Sequence, residues 1–333
     1  MPRGSGAAYA APMPRPVPKR LSDLGEQALI ARIVRRTGVE PGGRWTLGIG
    51  DDAALLRGRA GEELVFSTDT LVEDVHFRFA RETPRAIGRR AIAVNLSDLA
   101  AMGAEPVGVL LGLCAPDTLP VAVFDGLIGG VVFEAGRFGC PLVGGNLSRA
   151  AACSLAVTVI GRVERGRALR RTGLAPGDQL FVTGVLGLAA LRRLASDRHG
   201  TPLRHVPEPR LEAGRRLARL RGAKACIDLS DGLASDLGQL VRASRVAAEV
   251  EAESLPRARG FDGDCVRLGI DPIALQAAGG EDYELLFGLA PGRLAADPQA
   301  LSRRLGVRVT RIGRIVAGRG VRGLPVDPAR HHF

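Results

Sequence analysis

The sequence has 333 residues, long enough for two domains with separate cores. Hydrophobic residues make up 46%, charged residues 24% and aromatics only 4%, an ordinary globular balance whose cores must be built from Leu, Val, Ile and Ala. The formal charge of +11 comes almost wholly from scattered arginines with no interleaved aromatics, which argues against a nucleic-acid binder; no apolar run approaches the roughly 18 residues of a membrane-spanning helix.

Met1–Arg20 is basic, rich in proline and without the apolar stretch of a signal peptide, so it reads as a disordered tail. Leu21–Arg36 has helical apolar spacing at Leu21, Leu24, Ala28, Leu29 and Ile33, and Gly38–Gly43 is a turn. Leu64–Thr70 predicts a strand. Pro84–Met102 predicts a helix opened by Pro84 and closed by Gly103. Val107–Cys114 reads as a strand, Pro120–Phe138 as a helix and Cys153–Val163 as a long strand. A second unit then begins: strand Gln179–Thr183, helices Leu186–Ser196 and Pro209–Leu220 separated by the loop Gly200–Pro207, strand Ala225–Leu229 and helix Gly232–Ser244. Strands Glu284–Leu289 and Val307–Ile315 close the chain. The result is two α/β domains, 21–166 and 167–333, joined near residue 166. Cys114, Cys140, Cys153, Cys226 and Cys265 are odd in number and widely spaced with no C-x-x-C, which fits a reducing cytoplasm rather than a disulfide framework or a zinc site.

The two lysines, Lys19 and Lys224, are not placed in a G-x-x-x-x-G-K-[ST] loop, so any phosphate chemistry needs another apparatus. The acidic segments suggest one. Gly48-Ile49-Gly50-Asp51-Asp52 is a glycine-opened acidic turn. Ser67-Thr68-Asp69-Thr70, read as the end of the Leu64–Phe66 strand, offers hard oxygen ligands suited to Mg2+. In the helix from Pro84, the stripe Ile87, Ala91, Val94 continues onto Asp98, so a carboxylate falls among apolar positions. A metal, an arginine or backbone donors must compensate it. Ile227-Asp228-Leu229-Ser230-Asp231-Gly232 runs from strand to helix. There Asp228 or Ser230 either caps the helix or meets metal-bound phosphate at its N-terminus. Gly279-Gly280-Glu281-Asp282-Tyr283-Glu284 is a glycine turn leading through acids into a strand. Arg170 and Arg171 form either a surface pair or a phosphate clamp.

Taken in order, G-I-G-D-D, S-T-D-T-L-V-x-x-V-H-F, N-L-S-D-L-A-A-M-G-A-x-P, G-G-N, R-A-L-x-R-x-G-x-x-P-G-D, I-D-L-S-D-G-L-x-x-D-L and G-G-E-D-Y-E-L closely resemble the thiamine-monophosphate kinase family over about Leu24 to Ile315. The resemblance implies the two-domain aminoimidazole-ribonucleotide synthetase-like fold, α/β to α+β, with an N-terminal sheet or barrel that spans a homodimer and a C-terminal α/β domain. It implies transfer of the γ-phosphate of ATP to thiamine monophosphate with several Mg2+. By motif, Asp52, Ser67, Thr68, Asp69, Asp98, Asn146, Asp228 and Asp231 correspond to the metal ligands. Gly145, Asn146, Arg171 and Ser230 correspond to nucleotide contacts, and His76 and Glu281 to substrate contacts. Asp69, Asp98 and Arg171 are the groups expected to carry catalysis.

Two departures accompany the resemblance. Asn146 stands where the family pattern has Asp, and the nearest aromatic to the C-terminus is Phe333. The competing expectations are another ATP-using enzyme of the same fold or a non-catalytic nucleotide-binding protein. The first Cys at 114 and the ending His331-His332-Phe333 disfavour the selenophosphate and hydrogenase-maturation relatives.

Overall fold

In the computed structural model the described residues are 20–24, 26–37, 45–47, 55–56, 58–203 and 205–325. The tail before Arg20, the turn Gly38–Gly43, the Gly48–Asp52 motif with Asp52, and Phe333 lie outside them.

The first half contains α1 (Glu26–Thr37), the short β1 (Trp45–Leu47) and β2 (Leu55–Leu56), β3 (Glu62–Val72), α2 (Pro84–Ala101), β4 (Glu105–Ala115), α3 (Val121–Arg137), β5 (Leu142–Arg149) and β6 (Ser154–Glu164). Helix α2 starts as its residues dictate. Thr83 caps it, its hydroxyl accepting from Ala86 N at 3.2 Å, and Pro84 follows at the first turn where its missing N–H costs nothing. Strands β3, β6, β4 and β5 form one sheet in that order, antiparallel except for the parallel β4–β5 pair. Helices α2 and α3 cover one face. The other face buries Val107, Val143 and Ile160, with Leu56 packed against them, and elsewhere is open, carrying Leu64 and Phe66, 42% and 63% exposed.

Two expectations are corrected here. Ser67–Thr70 do not end a strand: β3 stays paired with β6 without a break from Glu62 opposite Glu164 to Val72 opposite Ser154. A strand with one open face tolerates polar residues along its length, so hydroxyls and a carboxylate do not stop it. Strand β5 was not among the predicted elements; Gly144-Gly145-Asn146 entered only as part of the motif series. Gly145 lets β5 lie tight against β4: a Cβ there would sit 2.0 Å from Leu111 O.

The second half contains β7 (Gln179–Thr183), α4 (Leu188–His199), α5 (Leu211–Ala218), β8 (Ala223–Asp228), α6 (Leu233–Ser244), β9 (Ala247–Val250), α7 (Phe261–Leu268), α8 (Pro272–Ala278), β10 (Leu285–Leu289), α9 (Pro298–Leu305), β11 (Val309–Val316) and β12 (Gly320–Arg322). Its six-stranded sheet runs β12-β9-β11-β7-β10-β8, and only the β12–β9 pair is parallel. Both faces are buried. Leu180, Val182, Ile227 and Leu286 pack under Leu233, Leu237 and Leu240 of α6. The alternate residues Phe181, Cys226 and Phe287 join a core shared with Leu217, Leu301 and α2. The Phe181 and Phe287 rings stack at 5.6 Å.

That shared core makes α2 the hinge pin of the molecule. It packs on β3, β4 and β6 on one side and on α5 and β8 on the other. Gly214 of α5 permits the contact, since a Cβ there would lie 2.0 Å from Ala100 O. Because α2 is enclosed on nearly every side, Asp98 does not stand out on one apolar stripe. It stands in a buried helix where it meets the end of β8. No helix among the described residues is long and apolar enough to cross a membrane.

Candidate active site

Three elements bring carboxylates together: the middle of β3, the last turns of α2 and the C-terminal end of β8. Ser67 and Asp69 project toward α2, as alternation along β3 requires. Ser67 Oγ donates to Asp98 Oδ2 at 2.6 Å, and the main-chain N of Asp69 donates to Asn95 Oδ1 at 2.9 Å. One residue before Asp98, Ser97 Oγ donates to Asp228 Oδ2 at 2.7 Å across the two halves. The segment Asn95–Asp98 thus fixes one acidic residue from each sheet and contributes a third itself.

The electrostatics follow from that crowding. The Asp98 carboxyl is pushed up to about 7, first by burial and then by Asp228. The Ser67 hydrogen bond opposes this, Asp69 adds to it, and Arg171 opposes it. Asp228, 4% exposed, is raised by burial against its Ser97 bond, with Arg171 opposing and Asp69 adding. Asp69 is open on its solvent side, yet the protein packed behind it raises its carboxyl; His76 opposes and Asp231 adds. Asp236, which the residue reading passed over, is pushed up to about 8 by burial, Asp231 and Asp228.

The β8–α6 turn is built differently from the expectation that Asp228 or Ser230 caps the helix. Neither does. Gly232 occupies the cap position with no side-chain cap, and Asp236 reaches back from the first turn. Its Oδ2 accepts from the main-chain N of Asp231 at 3.1 Å and of Gly232 at 3.2 Å. This leaves Asp228 to Ser97. Behind the turn lies the Glu281–Glu284 segment. The main-chain N of Glu281 donates to Ser230 O at 2.8 Å, that of Tyr283 to Leu229 O at 2.9 Å, and that of Leu229 to Glu284 O at 2.9 Å. Glu281 and Tyr283 take left-handed backbone conformations with φ of 68° and 50°, a local strain the surrounding bonds hold in place. Asp282 caps α4 through the N–H groups of Gly187 and Ala189. Glu284, 4% exposed, accepts a two-pronged bond from Arg210 and one from Thr183 Oγ1 at 2.6 Å.

The remaining predicted residues fall as follows. The Glu281 carboxylate is held by Arg193 Nη1 at 2.9 Å. His76, in the turn after β3, accepts from Val72 N on Nδ1 at 3.1 Å, which puts its neutral-ring proton on Nε2. The ring lies near enough to Asp69 to favour that carboxylate's charged form when protonated. Arg171 donates to Gln239 Oε1 at 2.7 Å and bears on Asp98 and Asp228, and it lies at an exposed position. Thr68 and Asn146 are not brought into this group within one chain. Thr68 Oγ1 faces the open side of the sheet, where it donates to Val157 O and accepts from Thr158 Oγ1. Asn146 is exposed on that same side, opposite to the core-facing Leu147, and donates to Ser148 Oγ at 2.8 Å.

Among the described residues no three His, Cys, Asp or Glu side chains already close on one metal position. The donor set nevertheless suits a hard divalent cation. Carboxylate and hydroxyl oxygens crowd together, burial first and then mutual repulsion raise the carboxyls, and Arg171 is the cation that opposes this at Asp98 and Asp228. Asn95, Ser97, Asp236, Arg210 and Glu284 escaped the sequence reading. Four of them stand inside the quoted motifs without having been given a role: Asn95 and Ser97 in N-L-S-D-L-A-A-M-G-A-x-P, Asp236 in I-D-L-S-D-G-L-x-x-D-L and Glu284 in G-G-E-D-Y-E-L; Arg210 lies in none.

Residues 50–163 match the family described as AIR synthase related protein, N-terminal domain, and residues 175–324 match its C-terminal domain. The two sheets and the acidic cluster where they meet thus define a two-domain protein of the AIR synthase related class. A thiamine-monophosphate kinase from Synechococcus elongatus is 40% identical over 314 residues, 89% of this chain and 90% of that one. The crystal structure of the thiamine-monophosphate kinase from Stenotrophomonas maltophilia K279a is 38% identical with a TM-score of 0.77, covering 90% of this chain and 96% of that one. AaThiL, complexed with AMPPCP and TMP, is 31% identical with a TM-score of 0.69, covering 91% of this chain and 94% of that one. The chain belongs to the thiamine-monophosphate kinase family, as its motif order implied.

Proposed function

We propose that this chain transfers the γ-phosphate of ATP to thiamine monophosphate, giving thiamine diphosphate and ADP, with Mg2+ held by the acidic cluster. The observation that carries this reading is the Ser97–Asp228 bond beside Asp98. It binds the acidic residues of both halves into one site, in a chain that belongs to this kinase family.

The acceptor is a phosphate monoester, ionised at neutral pH, so the reaction needs no general base. It needs two polyanions brought in line and their repulsion reduced. Ser67, Asp69, Asp98, Asp228 and Asp231, joined by Asp52, would hold the Mg2+. Bound Mg2+ supplies charge cancellation and polarises the phosphoryl oxygens. The protein's own part is to keep that cluster rigid. Asn95 fixes the Asp69 backbone, Ser67 and Ser97 orient Asp98 and Asp228, and Asp236 holds the Ser230–Gly232 turn. Arg171 adds a fixed positive charge for the nucleotide, with Ser230 as a further nucleotide contact; Gly145, on β5 beside Asn146, would take that role only from a second copy of the chain. His76 and Glu281, on the side of Asp69, would meet the thiamine phosphate.

Residues 21–166 form the unit that carries most of the nucleotide and metal groups, and 167–333 the α/β unit that closes over it. A cytoplasmic homodimer fits the open sheet face with its exposed Leu64 and Phe66. Among the described residues β3 and β5 are the edge strands of that sheet. A second copy joining there is the arrangement that would return Thr68 and Asn146 to a cation site. The test is to incubate pure protein with ATP, Mg2+ and thiamine monophosphate and measure thiamine diphosphate and ADP. Wild type forms both, and folded Asp69→Ala forms neither. ATP binding without product contradicts the assignment.

A further inference from the structure

Helix α6 carries a connection between the nucleotide-binding arginine and the acidic turn. Gln239 stands one turn after Asp236. Its Oε1 accepts from Arg171 Nη1 at 2.7 Å, and its Nε2 donates to Asp236 Oδ1 at 3.3 Å. The other oxygen of Asp236 holds the main-chain N–H groups of Asp231 and Gly232. An unbroken chain therefore runs from the Arg171 guanidinium through one amide and one carboxylate to the backbone of a proposed metal ligand. The Arg171 main chain is tied to the same helix five residues on. Ser244 Oγ donates to Arg171 O at 3.4 Å and accepts from Leu174 N at 3.2 Å. The segment entering the second half is thus pinned to α6 at two levels, and Gln239 is the level that sets where the guanidinium points.

The residue type matters. A primary amide presents an acceptor and a donor on one uncharged head. A carboxylate at 239 would face the Asp236 carboxylate, a lysine would repel Arg171, and an aliphatic chain would leave Arg171 to swing on a long, flexible stem. Gln239 touches no substrate in this arrangement; it acts through Arg171.

We propose that Gln239 is a positioning residue that fixes Arg171 over the Asp98–Asp228 cluster and locks it to the Asp231–Gly232 turn, so that the nucleotide's cationic and acidic contacts stay in register. The inference rests on the reading of Arg171 as a nucleotide contact. It predicts a specificity in the kinetics: the loss should fall on the nucleotide and not on the thiamine phosphate.

The test is a double-mutant cycle read by calorimetric titration of Mg2+-AMPPCP, with KM for each substrate measured alongside. Gln239→Leu is expected to weaken nucleotide binding about tenfold, the scale of one hydrogen bond to a charged group. KM for thiamine monophosphate should move less than about twofold. Gln239→Glu, which keeps the acceptor for Arg171 but sets a like charge against Asp236, should recover only part of the affinity. In an Arg171→Ala background, Gln239→Leu should add nothing further. Wild-type affinity in Gln239→Leu, or an undiminished extra loss in the Arg171→Ala background, overturns the proposal. Wild-type affinity in Arg171→Ala alone overturns the nucleotide role of Arg171 itself, a separate failure.

Discussion

Replacing Asp98 by Asn should stabilise the metal-free protein at neutral pH while abolishing turnover. In the folded chain the Asp98 carboxyl is pushed up to about 7 from its ordinary 3.8, by burial first and by Asp228 next. A rise of about three pH units corresponds to about 4 kcal/mol of destabilisation at pH values above both pKa values. The side chain is only partly buried, and water entry screens it, so about 2 kcal/mol is the working figure. The folded pKa lies above the unfolded one. The stabilising contribution of the bound proton is therefore fully present below about 4 and lost as the pH rises through about 7. Asn keeps the Ser67 bond as an acceptor but carries no charge at any pH. Urea unfolding in EDTA, followed by ellipticity, should show the variant more stable than wild type by about 2 kcal/mol at pH 8, and by less than half of that at pH 5. An equal or lower stability of Asp98→Asn at pH 8, or the same difference at both pH values, would refute the picture of an acidic cluster held against its own repulsion.

Other perturbations reach the rest of the site. Arg210→Met leaves Glu284 buried with only its Thr183 bond, which should lower stability by about 3–5 kcal/mol; adding Glu284→Leu should recover much of it, as denaturation midpoints would show. Asn146→Asp should strengthen Mg2+ binding in the presence of AMPPCP, whereas equal affinity and stoichiometry in calorimetry would remove residue 146 from the cation shell. Glu281→Gln, which weakens the Arg193 pairing, should raise KM for thiamine monophosphate about fivefold or more with KM for ATP within about twofold. A parallel rise in both would contradict a substrate-specific role.

What could be read from the sequence was what local chemistry decides. Thr83 and Pro84 start α2 and Gly103 follows its end, because caps and φ restrictions act within a turn. Asp98 was singled out by its apolar neighbours, though the reason it is buried lies elsewhere: α2 is enclosed by both halves. What could not be read depends on distant partners. Arg210 meets Glu284 across 74 residues, and Ser97 meets Asp228 across 131. Strand β5 pairs with β4 beside it, while the glycines of its own Gly144-Gly145-Asn146 carry no strand signal. Capping of α6 by Asp228 or Ser230 was one of two readings of that segment, because caps normally precede a helix; Asp236 instead reaches back from inside it. The alternation of β3, once its full length is known, separates Ser67 and Asp69 from Thr68, a division the motif S-T-D-T conceals.

The central claim is that carboxylates from both halves serve one cation-dependent nucleotide site. The most direct measurement is calorimetric titration of AMPPCP, with and without Mg2+, into wild type, Asp69→Asn from the first half and Asp228→Asn from the second. Binding to wild type should require Mg2+, and each variant should lose about tenfold or more in affinity. Nucleotide binding that ignores Mg2+, or that survives intact in either variant, would contradict the account.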